Sequence, residues 1–446
     1  MDKNGICFAV SVILATLVLV GCSRFQEEDL FEESAALRVV HFNEQLQSRL
    51  VTQSSGENNG WVIQYFVGGS FEGFNLFGRF YDNGKVTLAG NHRFLRNGKA
   101  NKYTESTTFY EMIREEGPVL AFNTWNDILT VFVDPVDPAS APNTLINDGE
   151  GMYGDQNLVF ERFDGNDIVF HGERHSAKVR FVPCDRPWET YIVDTETMKN
   201  YITNSTITSY YVVCGTDTLY FKDLRKGIFT YCERINDPLY PSTINCVFTP
   251  TGFNLQRKNH IEGTSFREFR LAEDKTHLIS ENDSVQVIAM WDNYIVNSRS
   301  TTWNFDRDNF SDEQKALLEQ IDAELTKFNK NYSLAQIGLG RSTGSGAVRG
   351  LVVTFYTNTA KTKTNTAGLS LTTSLPAYGQ MQITYGDDEK IDKNFSNIAS
   401  KSDVEALVRQ FAATLSGTYE MVPNDYFLPT GCELHAVGGG NEYILK

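Results

Sequence analysis

The spacing of apolar positions along the chain changes period several times. Over residues 31–53, Ala36, Val39, Val40, Asn43, Leu46 and Leu50 recur at helical spacing behind acidic residues that suit a helix N-terminus, predicting a first amphipathic helix. From Gly60-Trp61 the period shortens to two. Trp61–Val67, Phe71–Tyr81 and Lys85–Ala89 read as strands, with Asp82-Asn83-Gly84 as a hairpin turn. Val119–Phe122, Ile128–Val133, Leu158–Phe163, Ile168–His171 and Val179–Val182 continue this meander. Between Asp134 and Asp155 a loop with Pro135, Pro138 and Pro142 reads as either a functional lip or a mobile segment.

A second helix is predicted over 187–202, with Trp188, Tyr191, Ile192, Thr195 and Met198 on one face. Strands resume at Ser209–Val213, Thr218–Phe221, Ile228–Tyr231, Ile244–Phe248, Phe266–Leu271 and His277–Ile279. Ser311-Asp312-Glu313-Gln314 forms a capping box ahead of Leu317, Leu318, Ile321, Leu325 and Phe328, predicting a third helix. A Gly- and Ser-rich loop then leads to strands at Leu351–Tyr356, Leu369–Thr373 and Met381–Tyr385. A fourth helix is expected to start at Ser402, with Glu405 completing a second capping box, before the last strands from Gly417-Thr418-Tyr419. The expected fold is α+β: curved antiparallel sheets, built as meanders, covered by about four amphipathic helices. The order of elements divides the chain into modules at 31–183, 184–303 and 304–446. No solenoid period is evident.

Composition supports an ordered, strand-rich body, with 30 Phe, 20 Tyr and 12% aromatic residues. A net charge of −16 supplies no basic stripe to replace phosphate counterions and argues against nucleic acid. The apolar run Ile6–Val20 is too short to span a bilayer and has signal-peptide proportions, although Asp2 offsets Lys3 ahead of it. Leu19-Val20-Gly21-Cys22 resembles the lipobox of bacterial lipoproteins. That resemblance implies a signal peptide over 1–21, cleavage before Cys22, and acylation of Cys22 as a lipid anchor. Each buried CH₂ contributes about 0.8 kcal/mol, so two or three acyl chains hold a protein stably on a membrane. The acidic tether at 22–30, with Glu27-Glu28-Asp29, would be repelled by anionic headgroups. It also resembles the acidic export signal of Bacteroidota lipoproteins, which implies display on the outer face of the outer membrane.

Five cysteines remain after Cys7 and Cys22: Cys184, Cys214, Cys232, Cys246 and Cys432. An odd count permits at most two disulfides, and Cys232 and Cys246 flank a strand connection across which they could pair. Buried, unpaired thiols are the other reading. No CxxC spacing suggests zinc, and no cofactor or metal is expected.

Several turn and core stretches stand together: Phe31-Glu32-Glu33-Ser34-Ala35-Ala36, Gly60-Trp61-Val62, Phe80-Tyr81-Asp82-Asn83-Gly84-Lys85-Val86, Gly117-Pro118-Val119-Leu120-Ala121-Phe122 and Phe248-Thr249-Pro250-Thr251-Gly252. Together they resemble a Bacteroidota lipoprotein family of unknown function. Its genes often lie near starch-utilisation-system-like outer-membrane transporters and zinc peptidases. The resemblance implies a membrane location and a transporter complex as partner, and it brings no catalytic residues.

Candidate chemistry is sparse. Gly340-Arg341-Ser342-Thr343-Gly344 matches a nucleophile elbow with His435 downstream, but a helix is predicted before it and a strand after it, the reverse of what an elbow needs. The same loop lacks the pattern of a nucleotide cradle. His171-Gly172-Glu173-Arg174-His175 would place two His and a Glu on one strand face, without the zincin order. Asp306-Arg307-Asp308-Asn309-Phe310 begins like a calcium loop but puts Phe310 and Ser311 where an oxygen ligand and Gly belong. Trp291, Tyr294 and Trp303, in a polar stretch between modules, are expected to form an exposed aromatic face for a glycan or peptide, with core or inter-module packing as the alternative. Trp61 and Trp188 read as core. Asp217-Thr218-Leu219 and Asp283-Ser284-Val285 resemble the short O-glycosylation acceptor of exported proteins in this phylum, implicating Thr218 and Ser284.

The expected function is therefore a non-enzymatic, surface-exposed outer-membrane lipoprotein that captures a glycan or peptide nutrient for an associated transporter. A hydrolase acting on the same polymer and an envelope scaffold or adhesin are the alternatives.

Overall fold

A computed structural model describes residues 35–68, 71–114, 117–137, 144–203, 207–225, 227–232, 242–261, 263–298, 301–386 and 388–446. Cys22, the signal peptide, the tether, Pro138 and Pro142 lie outside them. Helix α1 (Ala35–Gln53) precedes a nine-stranded antiparallel sheet: β1 (Trp61–Phe66), β2 (Phe74–Phe80), β3 (Lys85–Gly90), β4 (Thr104–Phe109), β5 (Glu111–Arg114), β6 (Pro118–Ala121), β7 (Asn157–Asp164), β8 (Asp167–Gly172) and β9 (Lys178–Pro183). The spatial order is β4-β3-β2-β1-β9-β8-β7-β6-β5, so the first and last strands pair at the centre.

β1 is buried along its whole length because both faces of the sheet are covered. On one face Trp61, Ile63 and Tyr65 join Leu46 and Leu50 of α1, and Trp61 Nε1 donates to the Leu50 carbonyl at 3.1 Å. On the other, Val62 and Phe77 pack against Trp188 and Tyr191 of α2 (Trp188–Ile202). Gly60 enters β1 at φ +70°, where a Cβ would stand 2.4 Å from the Gly78 carbonyl oxygen, so the Gly-Trp step is a steric requirement.

A closed antiparallel barrel follows: β10 (Ser209–Cys214), β11 (Asp217–Arg225), β12 (Ile228–Cys232), β13 (Ser242–Thr249), β14 (Gly252–Ile261), β15 (Thr264–Leu271), β16 (Leu278–Ser280) and β17 (Gln286–Ala289). Pairing of β10 with β17 closes it, leaving no free edge. Its interior is filled by side chains such as Tyr210, Phe221, Phe253, Phe266 and Val287.

Helix α3 (Trp291–Asn297) leads to a four-stranded sheet of β18 (Trp303–Asn304), β19 (Ser333–Arg341), β20 (Arg349–Tyr356) and β21 (Thr364–Ser370), with α4 (Asp312–Phe328) between β18 and β19. The last sheet comprises β22 (Thr372–Ser374), β23 (Gln380–Thr384), β24 (Gly417–Pro423), β25 (Cys432–Ala436) and β26 (Glu442–Leu445). Helices α5 (Lys393–Ala399) and α6 (Val404–Thr414) lie between β23 and β24.

The molecule is thus built mostly of antiparallel sheets, with six α-helices among the described residues where about four were expected. The additional ones, α3 and α5, are single seven-residue segments too short to show a periodic apolar face. Three further expectations change: Ile128–Val133, expected as a strand, is turn with a short 3₁₀ helix at Thr130–Phe132. The Gly-rich stretch before residue 341 is strand β19, and Ser402 does not cap α6: its hydroxyl donates to the Ile398 carbonyl at 2.9 Å. The capping box of α4 is present, with the Ser311 hydroxyl accepting from Gln314 N at 3.2 Å and Gln314 Oε1 accepting from Ser311 N at 3.1 Å. Gln314 is buried, and its Nε2 also donates to Thr414 Oγ1 and Tyr443 OH, both at 2.8 Å. Gln314→Ala removes the reciprocal half of the capping box, the bond to Ser311 N, and both cross-links while keeping the bond from its own backbone N to the Ser311 hydroxyl, and is expected to destabilise the protein by about 2–3 kcal/mol in chemical denaturation. An effect below about 0.5 kcal/mol would show that the network adds nothing net.

Candidate functional site

The aromatic face expected at Trp291, Tyr294 and Trp303 is not a surface. Trp291 and Trp303 are 1% and 4% exposed, and Tyr294 is half-buried with its ring edge-on to Trp303. Trp291 opens α3, and its Nε1 donates to Tyr378 OH at 2.6 Å across to the last sheet. These rings pack one module on another, which explains aromatic residues in a polar stretch: each ring buries its body, and Trp291 and Tyr294 hydrogen-bond through their polar atoms.

Cys246 is a free buried thiol, as are Cys184, Cys214 and Cys432. Cys246 N donates to the Gly227 carbonyl, and from Gly227 to Cys232 the strand runs about 16 Å at 3.3 Å per residue. The Cys232–Cys246 disulfide is therefore excluded, since a bridge needs Cα atoms within about 7 Å. Burial pushes the Cys184 thiol up to about 11 and the Cys432 thiol up to about 12, so neither is a ready nucleophile.

Ser342 is buried in the β19–β20 turn, where its hydroxyl accepts from Val348 N at 3.1 Å. Strands flank it on both sides, and His435 lies on β25 between Glu433 and Glu442. His171 Nδ1 is 3.0 Å from Glu161, whereas His175 engages the Gly154 carbonyl and Glu150. The two histidines are thus held by separate partners, and no metal-ligating cluster occurs among the described residues. Asp306 caps a short 3₁₀ turn and meets Lys446 Nζ at 2.5 Å. Thr218 and Ser284 are both exposed and lie by neighbouring turns at one end of the barrel, where Val213 of β10 faces both Thr218 and Gln286.

The features with binding geometry lie elsewhere, where α2 and the barrel cover the outer face of the nine-stranded sheet. Gly73 N donates to the Cys246 carbonyl at 3.0 Å, Asn75 Nδ2 to the Phe248 carbonyl at 2.7 Å, and Arg267 Nη2 to Gln64 Oε1 at 2.6 Å. These bonds fix the two modules together along β1 and β2 and leave a cleft on either side.

The first cleft, about 440 Å³, is lined by Asn75 and Phe77 of β2, Asn91, His92 and Arg93 of the loop after β3, Tyr191, Thr195 and Glu196 of α2, and Phe248 of β13. Three of these residues carry buried polar atoms without a hydrogen-bond partner among the described residues: Asn75 Oδ1, His92 Nδ1 and Thr195 Oγ1. Such groups are rare in folded proteins because each costs about 1–3 kcal/mol. His92 Nε2 pairs with the Ile128 carbonyl at 3.0 Å, and burial lowers its pKa to about 4, leaving a neutral ring with a bare Nδ1 acceptor. Two acceptors and a hydroxyl beside the rings of Phe77, Tyr191 and Phe248 make a site for a polar ligand with an apolar face.

The second cleft, also about 440 Å³, lies between β7–β9 and β14–β15. It is lined by Arg162, Lys178 and Arg180 on one wall and Arg257, Lys258 and Arg267 on the other. Neither cleft was visible in sequence, because each is assembled from residues more than a hundred positions apart.

The profile of a family described as a domain of unknown function, DUF4302, matches residues 27–273. The chain belongs to the DUF4302 family. The DUF4302 match takes in α1, the nine-stranded sheet, α2 and the barrel through β15, so both clefts lie wholly within it. Strands β16 and β17 and everything after them lie beyond it. None of the curated proteins compared matches the chain. Among solved structures, the DNA polymerase III subunit beta from Pseudomonas aeruginosa aligns at 9% identity over 92% of this chain and 96% of its own, with a TM-score of 0.11. The DNA polymerase sliding clamp from Bacillus subtilis aligns at 8% identity over 90% and 96%, also at 0.11. Those scores are too low to carry an argument about fold.

Proposed function

We propose that this DUF4302 protein is a non-enzymatic, surface-exposed outer-membrane lipoprotein, anchored through Cys22, that captures a glycan or peptide nutrient for a starch-utilisation-system-like transporter. The ligand site in this reading is the first cleft. The observation that carries it is that Asn75, His92 and Thr195, each with a buried side-chain polar atom lacking a hydrogen-bond partner among the described residues, all line one aromatic-rich space. A folded chain tolerates such groups where a ligand completes them. The anchor rests on Leu19-Val20-Gly21-Cys22 and the outward orientation on the acidic tether. Among the described residues, no helix is long and apolar enough to cross a membrane.

The decisive variant is Thr195→Val, which is nearly isosteric and deletes one unpartnered hydroxyl. Removing it leaves stability unchanged or raised, yet weakens binding of whichever neutral oligosaccharide or peptide the wild type takes from a calorimetric panel by about tenfold. Unchanged affinity removes the cleft from the reading, turnover of a panel member replaces it with a hydrolase, and binding to transporter alone favours a scaffold. Protease shaving of intact cells tests the outward orientation, and protection would overturn it.

A further inference from the structure

The second cleft reverses the charge of the molecule. In a chain of net charge −16, six cations line it: Arg162, Lys178, Arg180, Arg257, Lys258 and Arg267. Four carboxylates answer them. Arg180 pairs with Asp164 and, at 2.7 Å, with Asp167, and Arg267 pairs with Glu268. Glu161 is shared between Arg162 at 3.2 Å and Lys178 at 3.5 Å, with His171 also against it. Arg257 and Lys258 have no side-chain hydrogen bond or ion pair among the described residues, and both are exposed.

Backbone geometry places that uncompensated pair. In a regular strand, successive side chains alternate between faces, so one of residues 257 and 258 would point into the barrel. The β14–β15 register slips between Asn254 and Asn259, and across this irregularity both cations face outward. Bulges of this kind re-aim side chains and recur beside binding sites. At the floor, Arg180 and Arg267 are 9% and 5% exposed, each held in place by a carboxylate or amide partner, so the cationic surface is pre-organised. On the facing wall β8 and β9 are hydrogen-bonded on both edges, leaving no edge there for a peptide to extend the sheet. Recognition from that wall goes through charged side chains.

We propose that this cleft binds a saccharide bearing carboxylate or sulfate groups, with Arg257 and Lys258 as the primary anion contacts and Arg162 and Lys178 opposite them. Planar guanidinium forks suit both oxyanions, and the acidic remainder of the surface disfavours binding the same ligand elsewhere. The inference is independent of the neutral cleft, because it uses no residue of that site.

The test is calorimetric titration of the full-length protein with trigalacturonate, a sulfated disaccharide, maltotriose and an oligo-aspartate peptide, at two salt concentrations. The expected result is salt-sensitive binding of trigalacturonate or the sulfated disaccharide, and none of maltotriose at this site. The R257Q/K258Q double variant is expected to keep the wild-type melting temperature, lose at least tenfold in affinity and show a flatter salt dependence. Which of the two sugars binds distinguishes carboxylate from sulfate recognition. Absence of binding by both, or equal affinities for wild type and double variant, overturns the proposal. Binding of the peptide alone replaces the saccharide with an acidic polypeptide. The Thr195→Val variant should bind these sugars as the wild type does, which separates failure of this site from failure of the neutral one.

Discussion

Asp155→Ala is expected to destabilise the protein by about 3–5 kcal/mol. The carboxylate is 4% exposed and organises the turn between β8 and β9. Oδ1 accepts from Arg174 N at 2.9 Å and His175 N at 3.0 Å, and Oδ2 accepts from Ala177 N at 3.1 Å. The backbone of the same residue is clamped by Tyr65, whose hydroxyl donates to the Asp155 carbonyl at 2.7 Å and accepts from Asp155 N at 2.6 Å. Gly172 is obligatory beside it, since a Cβ there would stand 1.8 Å from Asp155 Oδ2.

Truncation to Ala orphans three backbone donors at once, each worth about 1–3 kcal/mol when buried and unpaired. Asp155→Asn keeps the volume and one acceptor oxygen but turns an amide NH₂ toward N–H donors, so it should fall between wild type and Ala. Chemical denaturation measures both. A loss below about 1 kcal/mol for Ala would mean that water replaces the carboxylate and that the loop does not depend on it.

The Asp155 loop also shows what sequence could and could not reveal. His171 to His175 stood out as a cluster because histidines at even spacing share a strand face, yet the strand ends at Gly172 and the loop curls round a carboxylate seventeen positions upstream of Gly172. Elements with strong periodicity were legible: α1, α2 and α4, the Asp82-Asn83-Gly84 hairpin, and the capping box at Ser311. Elements whose burial comes from tertiary packing were not. β4 reads Thr-Glu-Ser-Thr-Thr-Phe and alternates half-buried with exposed residues, so it carries no apolar signal. β14 begins apolar and turns polar where its register with β15 slips between Asn254 and Asn259. Barrel closure depends on β10 meeting β17, a pairing across some seventy residues that no local pattern encodes. In the sequence, the sign of a ligand site is an aromatic residue in polar surroundings. That signal marks buried inter-module packing as readily as a binding face, because both require an apolar ring with a polar atom to satisfy.

His92 should make the protein acid-sensitive, and the sign follows from its environment. Its ring lies tilted against Phe132, with centroids 4.7 Å apart, and edge-on to Phe74, and burial lowers its pKa from 6.5 to about 4. In the unfolded chain the imidazole takes up a proton near 6.5, whereas in the folded chain it resists until about 4. Between those values the unfolded state binds more protons, so the stability is fully present above about 6.5 and is lost as pH falls through the window. At pH 5 the linkage amounts to about 2 kcal/mol. His92→Gln retains an N–H donor toward the Ile128 carbonyl and cannot titrate. The stability difference between wild type and H92Q should therefore shift by about 2 kcal/mol against the wild type between pH 7.5 and pH 5, read by denaturation at each pH. A difference independent of pH would place the imidazole in contact with water. The same neutral ring bears on ligand binding. A ligand hydroxyl donating to Nδ1 engages only the unprotonated imidazole, so the bound state opposes protonation further, and saturating ligand should push the onset of acid unfolding to lower pH by more in the wild type than in H92Q.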